Sequence, residues 1–569
     1  MQNFSISIFV LALIVVGCGP SVTYDVLIRN GTVYDGSGGE PVLADVAING
    51  DVIVGVGSLP DARGRTEIDA AGLAVAPGFI NMLSWANTSL LADGRSQSDI
   101  RQGVTLEVLG EGTSMGPLND AMKREMKERQ GHIRYDVAWT TLGEYLEHLE
   151  TRGVSTNVAS FVGNSTVRTY VIGREDRRAT PAELEQMRAL VEQAMQEGAM
   201  GVSSALIYVP SCYADTDELV ALAEVAAEYG GIYVSHIRNE GGGLLEALEE
   251  FITIARRADV PAEVYHFKAS GRDNWHKLDD AIARIEDARA DGLRITANMY
   301  TYHASSTGLY AIMPPWVQEG GHAAWVQRLK DPAVRARLRQ EMNLDTTEWE
   351  NDWVAVGEPG NILLVGFRND ALKPLTGKSL AEVAALRGTS PEETAMDLVI
   401  EDDSGVECVF FTMSEDNIRK KIRQSWMSFC SDGASMAAEG VFLNRGTHPR
   451  AYGSFARLLG KYVRDEQIIP LKEAIRRLTS QPASTLGLDR RGSLQPGYYA
   501  DVVVFDPTTI RDNATFDRPH QYATGMHHVL VNGVPVLRDG EHTGATPGRF
   551  VRGPGWTGRD PLEMGRRSP

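Results

Sequence analysis

Three short segments combine strand character with residues that can do chemistry: Ser235-His236-Ile237-Arg238-Asn239-Glu240, Tyr265-His266-Phe267-Lys268 and Cys430-Ser431-Asp432-Gly433. Imidazole nitrogen serves as a metal ligand or as a proton carrier near neutrality, and a carboxylate is a base that can return the proton it takes. A lone histidine is more often a hydrogen-bonded core residue. Two at equivalent ends of consecutive strands, with an acid on a later strand, point instead to a catalytic or metal centre. The two-residue period of a strand puts His266 with Lys268 on one face, and His236 with Arg238. The expectation is that two imidazoles, a carboxylate and two cations converge on one mouth.

Such a mouth needs a scaffold that aligns strand ends. Candidate strands are Ala74–Leu83, Val104–Gly110, Asn157–Gly163, Ala199–Ala205, Ile232–His236, Ala262–Lys268, Leu293–Tyr302 and Met427–Asp432. Helical signals lie between several of them. Thr180-Pro181-Ala182-Glu183 is a capping box with proline at the first helical position, and 219–229 and 244–258 carry apolar residues at helical spacing. The fold class is therefore α/β, a (β/α)8 TIM-like barrel over residues 78–485 with its chemistry at the C-terminal strand ends. The gap at about 310–426 holds an insertion, with helices expected over 322–342 and 380–401. At the chain ends, 24–77 and 486–550 read as short strands broken by Asn30-Gly31, Asn49-Gly50, Asn532-Gly533 and Asp539-Gly540. These two segments are expected to close into one composite β-sandwich.

Several longer stretches carry a family resemblance. Glu197 to Ser204 (EGAMGVSS), Tyr208 to Pro210, the SHIRNEG and HFKASGR segments, Ser431 to Gly433, His448-Pro449-Arg450 with the following YGSFARLLG, and Gly492 to Asp506 resemble the N-acyl-D-amino-acid deacylases of the amidohydrolase superfamily. The similarity runs over roughly residues 24–550. It implies a metal-dependent hydrolase of amide bonds.

Two departures from the family pattern bear on the metal. Pro77-Gly78-Phe79-Ile80 is followed by Asn81-Met82-Leu83-Ser84-Trp85, so Leu83 and Trp85 stand where the resemblance implies a His-x-His pair. On strand two, Glu111 falls where the resemblance implies a cysteine ligand, allowing one deleted residue. The implied site loses its weaker metal position and keeps one Zn²⁺ on Glu111, His236 and His266, a set that suits zinc and leaves a position open. Asp432 is the implied general base and acid. The resemblance maps substrate contacts onto Lys268, Tyr300, Ser306 and Arg450. A lysine or arginine with a tyrosine hydroxyl is what an amino-acid carboxylate needs. Alternatives stay open: Glu111 as a buried capping carboxylate, Lys268 or Arg450 in a structural ion pair, a hydrolase of cyclic amides, or a metal-free binding relative. Trp85 is expected to narrow the pocket with apolar surface, while His303 and His448 lie near the mouth without an assigned role.

Composition bounds the remaining choices. A net charge of −19 over 569 residues argues against nucleic acid as a partner. Phe4 to Val16 is too short to span a bilayer and ends in Val15-Val16-Gly17-Cys18, which resembles a signal peptide with a lipobox over residues 1–18. The expectation is a lipid anchor at Cys18 on the periplasmic side, at the outer membrane, since Gly19 gives no inner-membrane retention signal. Cys212, Cys408 and Cys430 are too few and too scattered for a disulfide framework.

Overall fold

The computed structural model describes residues 23–558, so the leader and Cys18 lie outside the described residues. Among the described residues no helix is long and apolar enough to cross a membrane.

The architecture is mixed α/β. Parallel pairing joins β1 (Phe79–Asn81), β2 (Val104–Leu109), β3 (Asn157–Ser160, continued by Val162–Gly163), β4 (Gly201–Ala205), β5 (Ile232–His236), β6 (Ala262–Val264), β7 (Ile295–Met299) and β8 (Met427–Phe429) in that order. The two ends of the run also meet: Met82 N–H donates to Phe429 O at 3.5 Å, and Ser84 bridges Gly433 in parallel. Almost every residue of these strands is buried, as parallel strands covered on both faces require. Helices separate the strands, including Pro181–Glu197, Thr216–Glu228, Leu244–Arg257 and Leu278–Ala290. The capping box at Thr180 and Glu183 is formed as the sequence implies.

Three strands stop three or more residues earlier than expected. β6 ends at Val264, β7 at Met299 and β8 at Phe429; the polar residues beyond them sit on loops. Between β7 and β8, Ser305–Gly308, Ile362–Gly366 and Glu407–Phe410 form an antiparallel sheet over a core of its own that includes Leu309, Trp325, Leu364 and Phe410. The helical stretches expected there each split in two. Pro332 opens a new helix capped by Asp331, and Gly388 at φ +67° ends the helix before Pro391 opens the next.

Strands from both chain ends are woven into one nine-stranded sheet, Val502–Phe505 lying antiparallel on Ala74–Pro77. Asn532-Gly533 and Asp539-Gly540 are two-residue hairpin turns with positive φ at both positions. Asn30-Gly31 is not a hairpin, contrary to the sequence reading. It is a bulge inside the strand Thr23–Val33, with Asn30 at φ +60°. A Cβ on Gly31 would lie 2.3 Å from Val75.

Asp501 fastens this sheet to the parallel strands. It accepts from Asn157 of β3 at 3.3 Å and from Asn532 N–H at 2.8 Å, and it pairs with the buried guanidinium of Arg491. Removing one member of a buried ion pair strands the other. Asp501→Ala is therefore expected to lower stability by about 3–5 kcal/mol, read as a shift in the chemical-denaturation midpoint. An unchanged midpoint would show that the pair is dispensable.

Candidate functional site

The strand ends carry the reactive groups into one cavity of about 780 Å³. Glu111 follows β2 in the loop Gly110-Glu111-Gly112, where both glycines have positive φ. Ser203 of β4 clamps that loop, donating to Gly110 O and accepting from Gly112 N–H. A Cβ on Gly112 would lie 2.5 Å from the Cβ of Ala205, so the loop lies directly against β4. His236 is the last residue of β5. His266 lies two residues past β6 at φ +31°, its N–H held by Asn298 Oδ1 at 2.8 Å. Asp432 lies past β8 at φ +47°, its N–H on Leu83 O at 3.0 Å. Non-glycine residues in this region are strained, and such strain gathers at functional sites.

Glu111, His236 and His266 come together, as the sequence reading expected. Glu111 Oε1 is 2.9 Å from His266 Nε2 and 3.4 Å from His236 Nδ1, and the two rings stand at 84° with centroids 4.5 Å apart. All three residues are buried. Their ligand atoms lie within 4.8 Å of one another. Ligands of a tetrahedral zinc, at about 2.0–2.1 Å from the ion, stand about 3.3 Å apart, so the donor set fits a small divalent ion. Burial alone would raise the Glu111 carboxyl, but the charge of His266 and hydrogen bonds from both imidazoles hold it well below the usual carboxylate range. His236 is lowered chiefly by burial, whereas Glu240 and Glu111 overcome burial at His266 and raise it to about 9.

Behind the imidazoles stands Glu240, a residue to which the sequence reading gave no role. Its Oε1 is 3.2 Å from His266 Nδ1 and its Oε2 is 3.4 Å from His236 Nε2. Lys268 Nζ donates to both oxygens, at 2.7 and 2.6 Å. Glu240, His236 and Glu350 also lie within ligand distance of one another, but the Lys268 ammonium already supplies the cation there. Glu350 accepts from Glu240 N–H at 2.5 Å, and burial with the charge of Glu240 pushes Glu350 well up and Asp352 up to about 7. Glu350 and Asp352 belong to the insertion, where no sequence signal marked them. Glu240 had one: an acid four residues past a strand-end histidine.

Asp432 faces the same space. Trp85 Nε1 donates to Asp432 Oδ1 at 3.1 Å and to Glu111 Oε2 at 3.0 Å. Arg450 Nη1 lies 2.6 Å from Asp432 Oδ2. Burial raises the Asp432 carboxyl, and Arg450 and His266 only partly offset this. Trp85 thus has a polar task that the expectation of an apolar wall missed. Tyr300 lines the cavity, with Arg450 stacked on its ring at 4.7 Å. Lys268 and Arg450 are both ion-paired, as the structural alternative foresaw. Ser306 lines the cavity too, but its hydroxyl donates to Cys408 O at 2.8 Å, while its carbonyl accepts from Arg450.

Arg238 corrects the expected convergence. Its guanidinium turns to Glu250 and to the carbonyls of Cys212 and Ala214, away from the mouth. His448 is buried with both nitrogens engaged, accepting from Arg450 N–H and facing Ala304 O at 2.9 Å; it fixes the base of Arg450. His303 faces Glu415 at 3.7 Å instead of the cavity. Cys212, Cys408 and Cys430 are free thiols, the last two buried.

Comparison with known proteins places this arrangement. Residues 66–537 match the profile described as "Amidohydrolase family". A D-aminoacylase of Alcaligenes xylosoxydans xylosoxydans is 33% identical over 93% of this chain and 98% of its own. The solved structure of a D-aminoacylase, studied for the role of its binuclear metal centre, superposes with a TM-score of 0.77 at 32% identity, covering 93% of this chain and 100% of its own. An N-acyl-D-glutamate deacylase of Bordetella bronchiseptica, solved with zinc and a phosphonate inhibitor, superposes with the same score at 29% identity and the same coverage. The chain belongs to the amidohydrolase family, among the metal-dependent deacylases of the D-aminoacylase type.

Proposed function

We propose that this chain hydrolyses the amide bond of N-acyl-D-amino acids or related peptides at a centre holding one zinc ion. The observation that carries the reading is the gathering of Glu111, His236 and His266 around one point, with Asp432 tied to Glu111 through the Trp85 N–H. An ion on those three side chains supplies Lewis-acid polarisation of the scissile carbonyl and acidity to a water molecule.

The chain's own groups do the rest. Arg450 pairs with Asp432 Oδ2, so Oδ1, which accepts only the neutral Trp85 N–H, is the oxygen that takes a proton from the attacking water. As the water oxygen bonds to the carbonyl carbon, Asp432 passes that proton to the amide nitrogen and the carbon–nitrogen bond breaks. Burial, which favours the protonated carboxyl, suits Asp432 to the acid half of this cycle. Glu240 holds the His266 imidazole in register by a hydrogen bond, faces His236 Nε2 at 3.4 Å, and keeps the Lys268 charge close to the reacting centre. The Tyr300 hydroxyl, whose one side-chain hydrogen bond among the described residues is to Met413 Sδ at 4.0 Å, is available to the substrate carboxylate beside Arg450. Lys268 and Ser306 complete that wall.

The finer architecture belongs to the same reading. The meeting of Ser84 with Gly433 supports a closed (β/α)8 barrel over residues 78–485, with the insertion at about 310–426. The shared terminal sheet supports a composite β-sandwich of 24–77 and 486–550. The leader sequence supports a lipid anchor at Cys18 facing the periplasm.

Purified protein loaded with zinc is expected to carry about one ion per chain and to hydrolyse N-acetyl-D-amino acids in preference to their L forms. Asp432→Asn should cut turnover at least 100-fold while keeping the metal, and Glu111→Ala should lose the metal itself, read by elemental analysis. Full turnover by the first variant, or full metal content in the second, removes the assigned role. For the anchor, Cys18→Ala is expected to move the protein from the membrane fraction to the soluble periplasmic fraction; retention in the membrane would refute lipidation.

A further inference from the structure

The mouth of the catalytic cavity carries two guanidinium groups that the reaction does not use. Arg129 closes the helix Asp120–Glu128 in the connection from β2 to β3, and Arg368 follows the insertion strand Ile362–Gly366. Both line the cavity that contains Glu111, His236 and His266. We propose that Arg129 and Arg368 form an anion-binding subsite, so that the preferred substrate carries a second carboxylate, on its side chain or its acyl group, besides the one on its α-carbon. The proposal rests on the deacylase reading and extends it to the substrate class.

A single turn seats both side chains. Arg129 Nη2 donates to Ser404 Oγ at 3.1 Å. The next residue, Gly405, lies under Arg368: a Cβ there would fall 2.4 Å from Arg368 Cδ, so the stem of Arg368 is laid on bare backbone. His132 Nε2, 3.4 Å from Phe367 O, ties the β2–β3 connection to the same corner of the insertion.

Neither guanidinium has a carboxylate partner within ion-pair distance among the described residues, because the neighbouring acids are committed elsewhere. Asp403 is taken by His322, Glu125 by Arg174 and Glu407 by Arg445. Asp402 is buried and accepts the backbone N–H groups of Arg368 and Asn369, at 3.1 and 2.7 Å. Deeper in the cavity the pattern is the opposite: Lys268 is matched by Glu240 and Arg450 by Asp432. Burial and the nearby charge of Arg368 both weaken the hold of Arg129 on its proton, so the two cations repel each other in the free protein. A carboxylate between them relieves that repulsion and accepts charge-assisted hydrogen bonds from planar donors. On a chain of net charge −19, a pair of cations in the cavity lining also draws an anionic substrate to that cavity.

The test is the ratio of kcat/KM values for three substrates, N-acetyl-D-glutamate, N-succinyl-D-alanine and N-acetyl-D-leucine, in the zinc-loaded wild type and in the Arg129→Gln/Arg368→Gln double variant. The wild type is expected to favour one of the two dianionic substrates over the leucine compound by tenfold or more. That preference should fall at least tenfold in the double variant, mainly through KM, and partly return in Arg129→Lys/Arg368→Lys. Preference for glutamate places the second carboxylate on the side chain, and preference for succinyl places it on the acyl group. An equal ratio in wild type and variant, or no dianion preference in the wild type, overturns the subsite. If none of the three compounds is hydrolysed, the deacylase reading fails separately. Calorimetry with glutarate and butyrate then decides the subsite alone: glutarate must bind the wild type more tightly, and the double variant must lose that difference. Circular dichroism and zinc content confirm that the variants fold.

Discussion

The centre depends on one buried carboxylate, Glu240. Its two oxygens face the imidazoles of His236 and His266 and receive the Lys268 ammonium. Histidines that hold a metal gain basicity and a fixed ring orientation from such a partner. Here Glu240 does this for His266 through a hydrogen bond and places its second oxygen 3.4 Å from His236 Nε2. Its burial would be prohibitive without Lys268, because an unpaired ion in the interior costs several kcal/mol. The same ammonium is thereby withdrawn from free contact with a substrate, as the Arg450 guanidinium is by Asp432.

Backbone strain does the remaining positioning. β6 and β8 end early, and the chain turns through a left-handed residue at His266 and at Asp432. Each turn is held from a neighbouring strand end, by Asn298 Oδ1 and Leu83 O. A regular strand would send residues 266 and 268 to one face by alternation. The turn brings both to the cavity by a different route, with Lys268 Nζ 2.7 Å from His266 Nδ1. The expected proximity was right although the periodicity behind it does not operate there.

That distinction marks what the sequence could tell. Strand-end histidines and the aspartate of Ser431-Asp432-Gly433 were legible because parallel strands are short apolar runs that end where polar residues begin. Glu111 was legible only through the family pattern, since a glutamate between two glycines has no signature of its own. Arg238 misled: alternation put it beside His236, but a free acid on the following helix, Glu250, captured it. Glu350, Asp352, Arg129 and Arg368 reach the cavity from the insertion and from a long connection. Their placement follows from tertiary packing that no local spacing encodes. The three short antiparallel strands of the insertion were missed for the same reason, as each is only four or five residues long.

Trp85 stands where the family resemblance implies a histidine, and it has a geometric task of its own at the centre. Leu83 turns its side chain into the core and uses its carbonyl to hold Asp432. Trp85 sets a neutral N–H between Glu111 Oε2 and Asp432 Oδ1. A cation at that point would fix both carboxylates and also draw down the affinity of each for protons. An indole N–H fixes their direction but brings no charge. The two acids must then be balanced from their other sides, Glu111 by the imidazoles and Asp432 by Arg450, and Asp432 keeps the raised proton affinity that burial gives it. A donor without charge is therefore a physically coherent replacement here: it preserves the geometry of the pair and leaves the aspartate able to carry a proton.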